Sequence, residues 1–155
     1  WVLVERVAGD DALADRLAHL GAPLVGQALE GLAAGILTPV PQPEAGVVYA
    51  HKIDKAEAKI DWSRPAAEIA ALIRGLNPSP GAFTHLGGER LKIWAATPVG
   101  DDGPSGTTLD DVLTVACGEG ALQLDRVQRE GRPAVDRTAL LAGLPVPPGT
   151  RLGED

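Results

Sequence analysis

A chain of 155 residues can hold one ordinary domain, or one domain and a piece of another. With 45% hydrophobic and 23% charged residues it can pack a core and does not read as disordered, while a net charge of −7 argues against a general polyanion binder, whose affinity comes from neutralising phosphates. A single cysteine, Cys117, excludes an intramolecular disulfide, and no apolar run approaches membrane length, so a cytoplasmic protein is expected. The charge is uneven: residues 1–49 hold two basic groups against six acids, whereas residues 50–155 hold twelve against fifteen, which leaves room for a local basic stripe. The chain starts at Trp1 and has no methionine, and it is read as a partial chain.

Residues Trp1 to Val7 read as a strand. Asp10 and Asp11 offer helix N-cap oxygens, and Leu13, Leu17, Leu20 and Leu24 follow at helical spacing, continued by Leu29 and Leu32. Pro23 predicts a kink or two helices, and Gly31 and Gly35 mark the end. One strand and one helix cannot bury their own faces, so this front piece reads as the last unit of a larger α/β domain. Thr38-Pro39-Val40-Pro41-Gln42-Pro43 is a stiff, extended linker. Ser63 is the expected N-cap of a helix with Pro65 in its first turn and Ile69, Leu72, Ile73 and Leu76 on one face, ending before Pro78.

The remainder alternates. Ala82–Leu86 and Arg90–Trp94 flank Gly87-Gly88-Glu89 as a hairpin, and Leu113–Cys117 and Ala121–Val127 flank Gly118-Glu119-Gly120 as another. Asp136 caps a short helix closed by Gly143. Short strands with glycine turns predict a small barrel, or an open sheet packed on the Ser63–Leu76 helix.

Three ordered blocks carry a family resemblance: Tyr49-Ala50-His51-Lys52-Ile53 through Ala58-Lys59-Ile60-Asp61-Trp62; Ile73-Arg74-Gly75-Leu76-Asn77-Pro78-Ser79-Pro80-Gly81-Ala82; and Leu113–Leu122 followed by Ala139–Gly143. In that order they resemble methionyl-tRNA formyltransferases, with the departure that Ser79 stands where the family usually has tryptophan. The resemblance implies an α+β chain: residues 1–38 ending a Rossmann-like formyltransferase domain, a linker at 39–51, and a small OB-like barrel with a leading helix at 52–155. It implies transfer of a formyl group from 10-formyltetrahydrofolate to the methionyl amine of initiator tRNA. The catalytic residues would lie upstream of Trp1, so no catalytic and no cofactor-binding residue is assigned in this chain, and it is expected to be inactive alone, a monomer, and a binder of initiator methionyl-tRNA. A formyltransferase acting on another amine, such as a nucleotide sugar, and a stand-alone nucleic-acid-binding module are the alternatives.

Such modules combine a basic track with aromatic surfaces. Lys52, Arg74, Arg90 and Lys92 are the candidates for the track, Arg90 and Lys92 because residues two apart share one face of a strand. Lys55 and Lys59 alternate with Asp54, Glu57 and Asp61 and read equally as a solvated face. Trp62 and Trp94 are favoured as core residues. His19, His51, His85 and Cys117 show no metal-ligand spacing, and Cys117 reads as a small core side chain.

Overall fold

The computed structural model describes residues 10–47 and 53–154. The strand expected at Trp1 to Val7 lies outside the described residues. α1 runs from Asp10 to Ala33 as one helix with Pro23 inside it, so of the kink or two helices expected there, two separate helices do not occur. It ends in a turn where Gly35 has φ 67°, a left-handed conformation that glycine adopts without penalty. Its apolar stripe is exposed: Leu17, Leu20, Leu24, Val25, Leu29 and Leu32 all lie open, Leu24 at 61%. From Leu13 to Ala33, where burial is described, no residue of α1 belongs to the buried core. Residues 36–43 form no regular element, as alternating prolines require.

From residue 53 the chain builds a curled antiparallel sheet with a helix against it. A short 3-10 helix, Lys55–Ala58, is closed by a capping box: Asp54 accepts from the Ala56 amide and Glu57 accepts from the Asp54 amide, both at 3.0 Å. α2, Ala66–Leu76, buries Ala66, Ile69, Ala70, Ile73 and Leu76, the periodic face read from the sequence. Full burial of each isoleucine contributes roughly 1.5–3 kcal/mol. Ser63 is not its N-cap. The Ser63 hydroxyl donates to Asp61 at 2.6 Å, and the first helical N–H, of Ala66, donates to the Glu119 carbonyl at 2.9 Å. A neighbouring loop has taken over the capping role. Gly118 in that loop lies so close that a Cβ there would sit 1.8 Å from the Ser63 carbonyl oxygen.

β1 (Phe83–Leu86) and β2 (Glu89–Val99) form the expected hairpin, joined by Gly87 and Gly88 at φ 60° and 79°, the two positive angles of a tight turn matched to strand twist. β3 (Thr114–Ala116) and β4 (Ala121–Arg129) form the second, and β5 (Val135–Asp136) adds to β4. The order is β1-β2-β4-β3. Single bridges then complete a ring: Val115 to Thr108, Thr107 to Arg151, and Leu152 back to Leu86 on β1. Backbone bonds hold this seam, including Thr108 N–H to the Thr150 carbonyl at 2.9 Å and Leu152 N–H to the Gly106 carbonyl at 2.7 Å. Closure removes the free edges that β1 and β3 would otherwise present. α3, Arg137–Gly143, follows Asp136 as expected and buries Leu140.

The core is aliphatic, with Leu91, Ile93, Leu113, Val115, Leu122, Leu124 and Val127 from the strands meeting the α2 stripe. Trp62 joins it, and its Nε1 donates to the buried Thr84 hydroxyl at 3.0 Å. Cys117 is buried, and burial pushes its thiol up to about 11, so it is a packed side chain without thiolate reactivity. No helix among the described residues is long and apolar enough to cross a membrane.

Candidate nucleic-acid interface

Alternation along β2 sends Leu91 and Ile93 into the core and Arg90, Lys92 and Trp94 to the other face. On β1, opposite Lys92 and Arg90, stand Phe83 and His85; on β4, opposite Lys92, stands Gln128. The outer face of three paired strands thus gathers basic, aromatic and amide side chains. Arg90 lies with its guanidinium carbon 3.8 Å from the Phe83 ring centre, and Lys92 Nζ lies 5.6 Å from that of Trp94. Both cations rest on aromatic faces, contacts worth about 0.5–1 kcal/mol each at an exposed site. Arg90 Nε is enclosed and has no hydrogen-bond partner among the described residues.

The pairing of β2 with β4 slips on either side of Ala95, which leaves Trp94 without a partner in the register. This β-bulge frees the Trp94 carbonyl, and an unpaired carbonyl needs a donor. Asn77 supplies it, its side-chain amide donating at 2.6 Å. The Trp94 indole donates to Gln128 at 2.9 Å, and Gln128 donates in turn to the Arg132 carbonyl at 2.7 Å. The Asn77–Gly81 turn meets the same site a second time. Gly81 has φ 79°, and a Cβ there would stand 2.8 Å from Lys92 Cε, so the lysine stem lies across the glycine. The backbone angle requires the glycine, whereas the lysine end beside it is flexible and free to shift. Ser79 is exposed at the tip, and the bonds that hold the turn involve Asn77 and Gly81, so the serine in place of tryptophan leaves that anchoring untouched.

Arg90 and Lys92 are therefore brought together as their spacing predicts. Arg74 is not with them: it stands in the last turn of α2, the helix packed against the buried side of β2. Lys52 lies outside the described residues. Asp54 and Glu57 are spent on the capping box, which accounts for the acids mixed among Lys55 and Lys59. Trp62 is in the core as expected, whereas Trp94 is not; strand alternation sets it on the outer face with Arg90 and Lys92.

Sequence reasoning missed Arg129 and Gln128. A cleft of about 200 Å³ between β2 and the β4–β5 turn is lined by Arg90, Lys92, Gln128, Arg129, Glu130 and Gly131. Arg129 binds Glu89 through both carboxylate oxygens, its Nη2 at 2.6 Å from Oε2. The Arg129 hydrogen bond holds the Glu89 carboxyl below its ordinary range, and Glu89 in turn raises Arg129. The outward alternation of Gln128 with the buried Val127 is a readable local signal, but the β2–β4 pairing that sets Gln128 beside Lys92 is not. No group of three His, Cys, Asp or Glu side chains able to hold a metal occurs among the described residues.

Residues 52–145 match the family model described as "Formyl transferase, C-terminal domain". Among curated relatives, a methionyl-tRNA formyltransferase of Ruegeria pomeroyi is 55% identical over 141 residues, 91% of this chain and 46% of that protein. One from Novosphingobium aromaticivorans is 49% identical over 148 residues, 96% of this chain and 48% of that protein. The chain thus spans about half the length of these relatives. Among solved structures, a variant of HypX from Aquifex aeolicus superposes with a TM-score of 0.68 at 18% identity, covering 90% of this chain and 27% of that one. HypX from the same organism in complex with tetrahydrofolic acid gives 0.61 at 19% identity, over 76% and 22%. At such identity the likeness speaks for the fold alone. With the family model covering most of its length, the chain belongs to the formyl transferase C-terminal domain family.

Proposed function

We propose that this chain is the C-terminal portion of a methionyl-tRNA formyltransferase, and that it grips initiator methionyl-tRNA while the chemistry takes place elsewhere in the enzyme. In the whole enzyme a formyl group passes from 10-formyltetrahydrofolate to the methionyl amine. Residues 1–38 end the catalytic domain, 39–51 link it, and 52–155 form the RNA-holding barrel. The protein works in the cytoplasm as a monomer. The exposed leucine stripe of α1 supports this division, since a face of that kind is buried against further structure in a stable domain.

The observation that carries the reading is the outer face of β1 and β2, where two cations rest on aromatic rings on a chain that is otherwise acidic. A local basic face on an acidic protein selects phosphates by position rather than by bulk charge. Arg90 and Lys92 neutralise backbone phosphates here; Lys52, beside the linker, and Arg74 add contacts outside this face. The test is binding of initiator tRNA to the chain across a salt series. The Arg90→Ala, Lys92→Ala double variant should weaken binding and flatten the log–log salt dependence by about two units, one per lost phosphate contact. An unchanged slope would remove the face from the RNA path. Formylation of methionyl-tRNA by the 155-residue chain alone would overturn the assignment of the chemistry to another part of the enzyme.

A further inference from the structure

We propose that Trp94 is a stacking platform for an unpaired base of the bound RNA, and that Lys92 is its movable cover, resting on the indole in the free protein and passing to a neighbouring phosphate on binding. The inference rests on the RNA-binding reading above and adds a base contact where that reading has phosphates alone.

The indole edge is fixed: Nε1 donates to Gln128 at 2.9 Å, and Gln128 is itself tied down by donating to the Arg132 carbonyl at 2.7 Å. The backbone is fixed too, the Trp94 carbonyl accepting from Asn77 at 2.6 Å where the β2–β4 register slips. A ring ordered in advance costs little further entropy when a base settles on it. Yet Trp94 is only half-buried and stands outside the hydrophobic core. Folding gains little from ordering a large ring that it does not seal.

The ground beside the ring is bare of fixed side chains. On β1 the register ends with Phe83 opposite Lys92, the Ile93 amide continues to the Ala82 carbonyl at 2.9 Å, and the residue before is Gly81. Along β2 the next residues are Ala95 and Ala96. Lys92 fills the space over the glycine: a Cβ on Gly81 would stand 2.8 Å from Lys92 Cε, and Nζ lies over the indole, 5.6 Å from its centre. An ammonium on an exposed ring is held weakly, whereas its bond to a phosphate is charge-assisted, so an arriving RNA backbone draws the lysine off. The place it leaves has glycine on one side and an indole on the other. Every base has a π-face to offer that indole, whatever its identity. A base inside a duplex keeps its faces on its neighbours, so the platform takes unpaired ones, such as those of a tRNA loop.

The experiment titrates the full chain with initiator tRNA and reads tryptophan emission beside affinity. Wild type should lose emission on binding, since a stacked base quenches an indole; Trp94→Phe, which keeps the core Trp62, should lose far less. Trp94→Leu should weaken binding about ten-fold, in the range of one stacked base, and leave the log–log salt slope unchanged. Trp94→Phe, still a platform, should stay within about two-fold of wild type. Lys92→Ala should keep the quench and flatten the slope by about one unit; an unchanged slope overturns the passage of the lysine to phosphate. A single-stranded RNA of about eight nucleotides should quench Trp94, and the same strand annealed to its complement should not. Quenching that persists in Trp94→Phe, equal quenching by the duplex, or equal losses in the Phe and Leu variants overturns the platform. So does a Trp94→Leu loss that also flattens the slope, because the phosphate face would then have lost its shape. If the Arg90 and Lys92 double variant flattens the slope while tRNA leaves wild-type emission untouched, this inference falls and the RNA reading stands; if that double variant leaves binding unchanged, the reading itself falls.

Discussion

α1 and α2 carry the same kind of apolar stripe and meet opposite fates. In α2 the periodic residues are sealed, with Ile73 1% exposed; in α1 they stand in the open. The difference is not in the helices. α2 has a curled sheet to pack on, and α1 has nothing comparable among the described residues. A stripe of leucines states that a helix needs a partner, and says nothing of where that partner is.

The largest effect that would test this contrast is truncation in the sealed helix. Ile73→Ala should cost about 2–5 kcal/mol, lost transfer free energy plus the cavity left behind, read as a lower urea midpoint. Leu24→Ser on α1, an equally drastic change in chemistry, should move the midpoint of the 155-residue chain by no more than about 0.5 kcal/mol. Equal losses at the two sites would erase the distinction. Next comes the loop that caps α2: Gly118→Ala forces a methyl against the Ser63 carbonyl and should cost roughly 1–3 kcal/mol through backbone displacement, with thermal unfolding as the readout.

The smallest effect is acid sensitivity of the barrel region. Asp61 is held low by the Ser63 hydroxyl and Glu89 by Arg129; at Asp110 burial pushes upward, but hydrogen bonds from Thr114 and Val112 outweigh it. Because these folded values are depressed, the unfolded chain takes up protons first. Their stabilisation is complete above about pH 5 and drains as pH falls through the folded values. The urea midpoint should therefore decline between about pH 5 and 3, and Asp110→Asn should blunt part of that decline.

Much of the fold was legible because local signals agreed with the global arrangement. The Gly87-Gly88 turn, the α2 stripe and the Asn77–Gly81 turn each state their structure within a few residues. What escaped was non-local. Ser63 looks like a cap until Glu119 arrives from the second hairpin to take its place. Ring closure by single bridges leaves no periodicity to read, and β5 is two residues long. Arg90 and Lys92 share a strand, so their common face is legible from spacing; Gln128 stands beside Lys92 only because β4 pairs with β2. Trp94 was favoured for the core on composition alone, although its place two residues from Lys92 on one strand sets it on the outer face.

The seam made by Thr107–Thr108 and Arg151–Gly153 also sets the order of assembly during synthesis. Before residues near 153 are in place, the far side of β1 is held at its Phe83 end, where the Ile60 amide donates to the Phe83 carbonyl at 2.8 Å, while the Leu86 end of the hairpin bearing Arg90 and Lys92 keeps an open flank. The flank of that hairpin is thus closed by residues from both extremes of the barrel sequence, Ile60 at one end and Leu152 and Gly153 at the other.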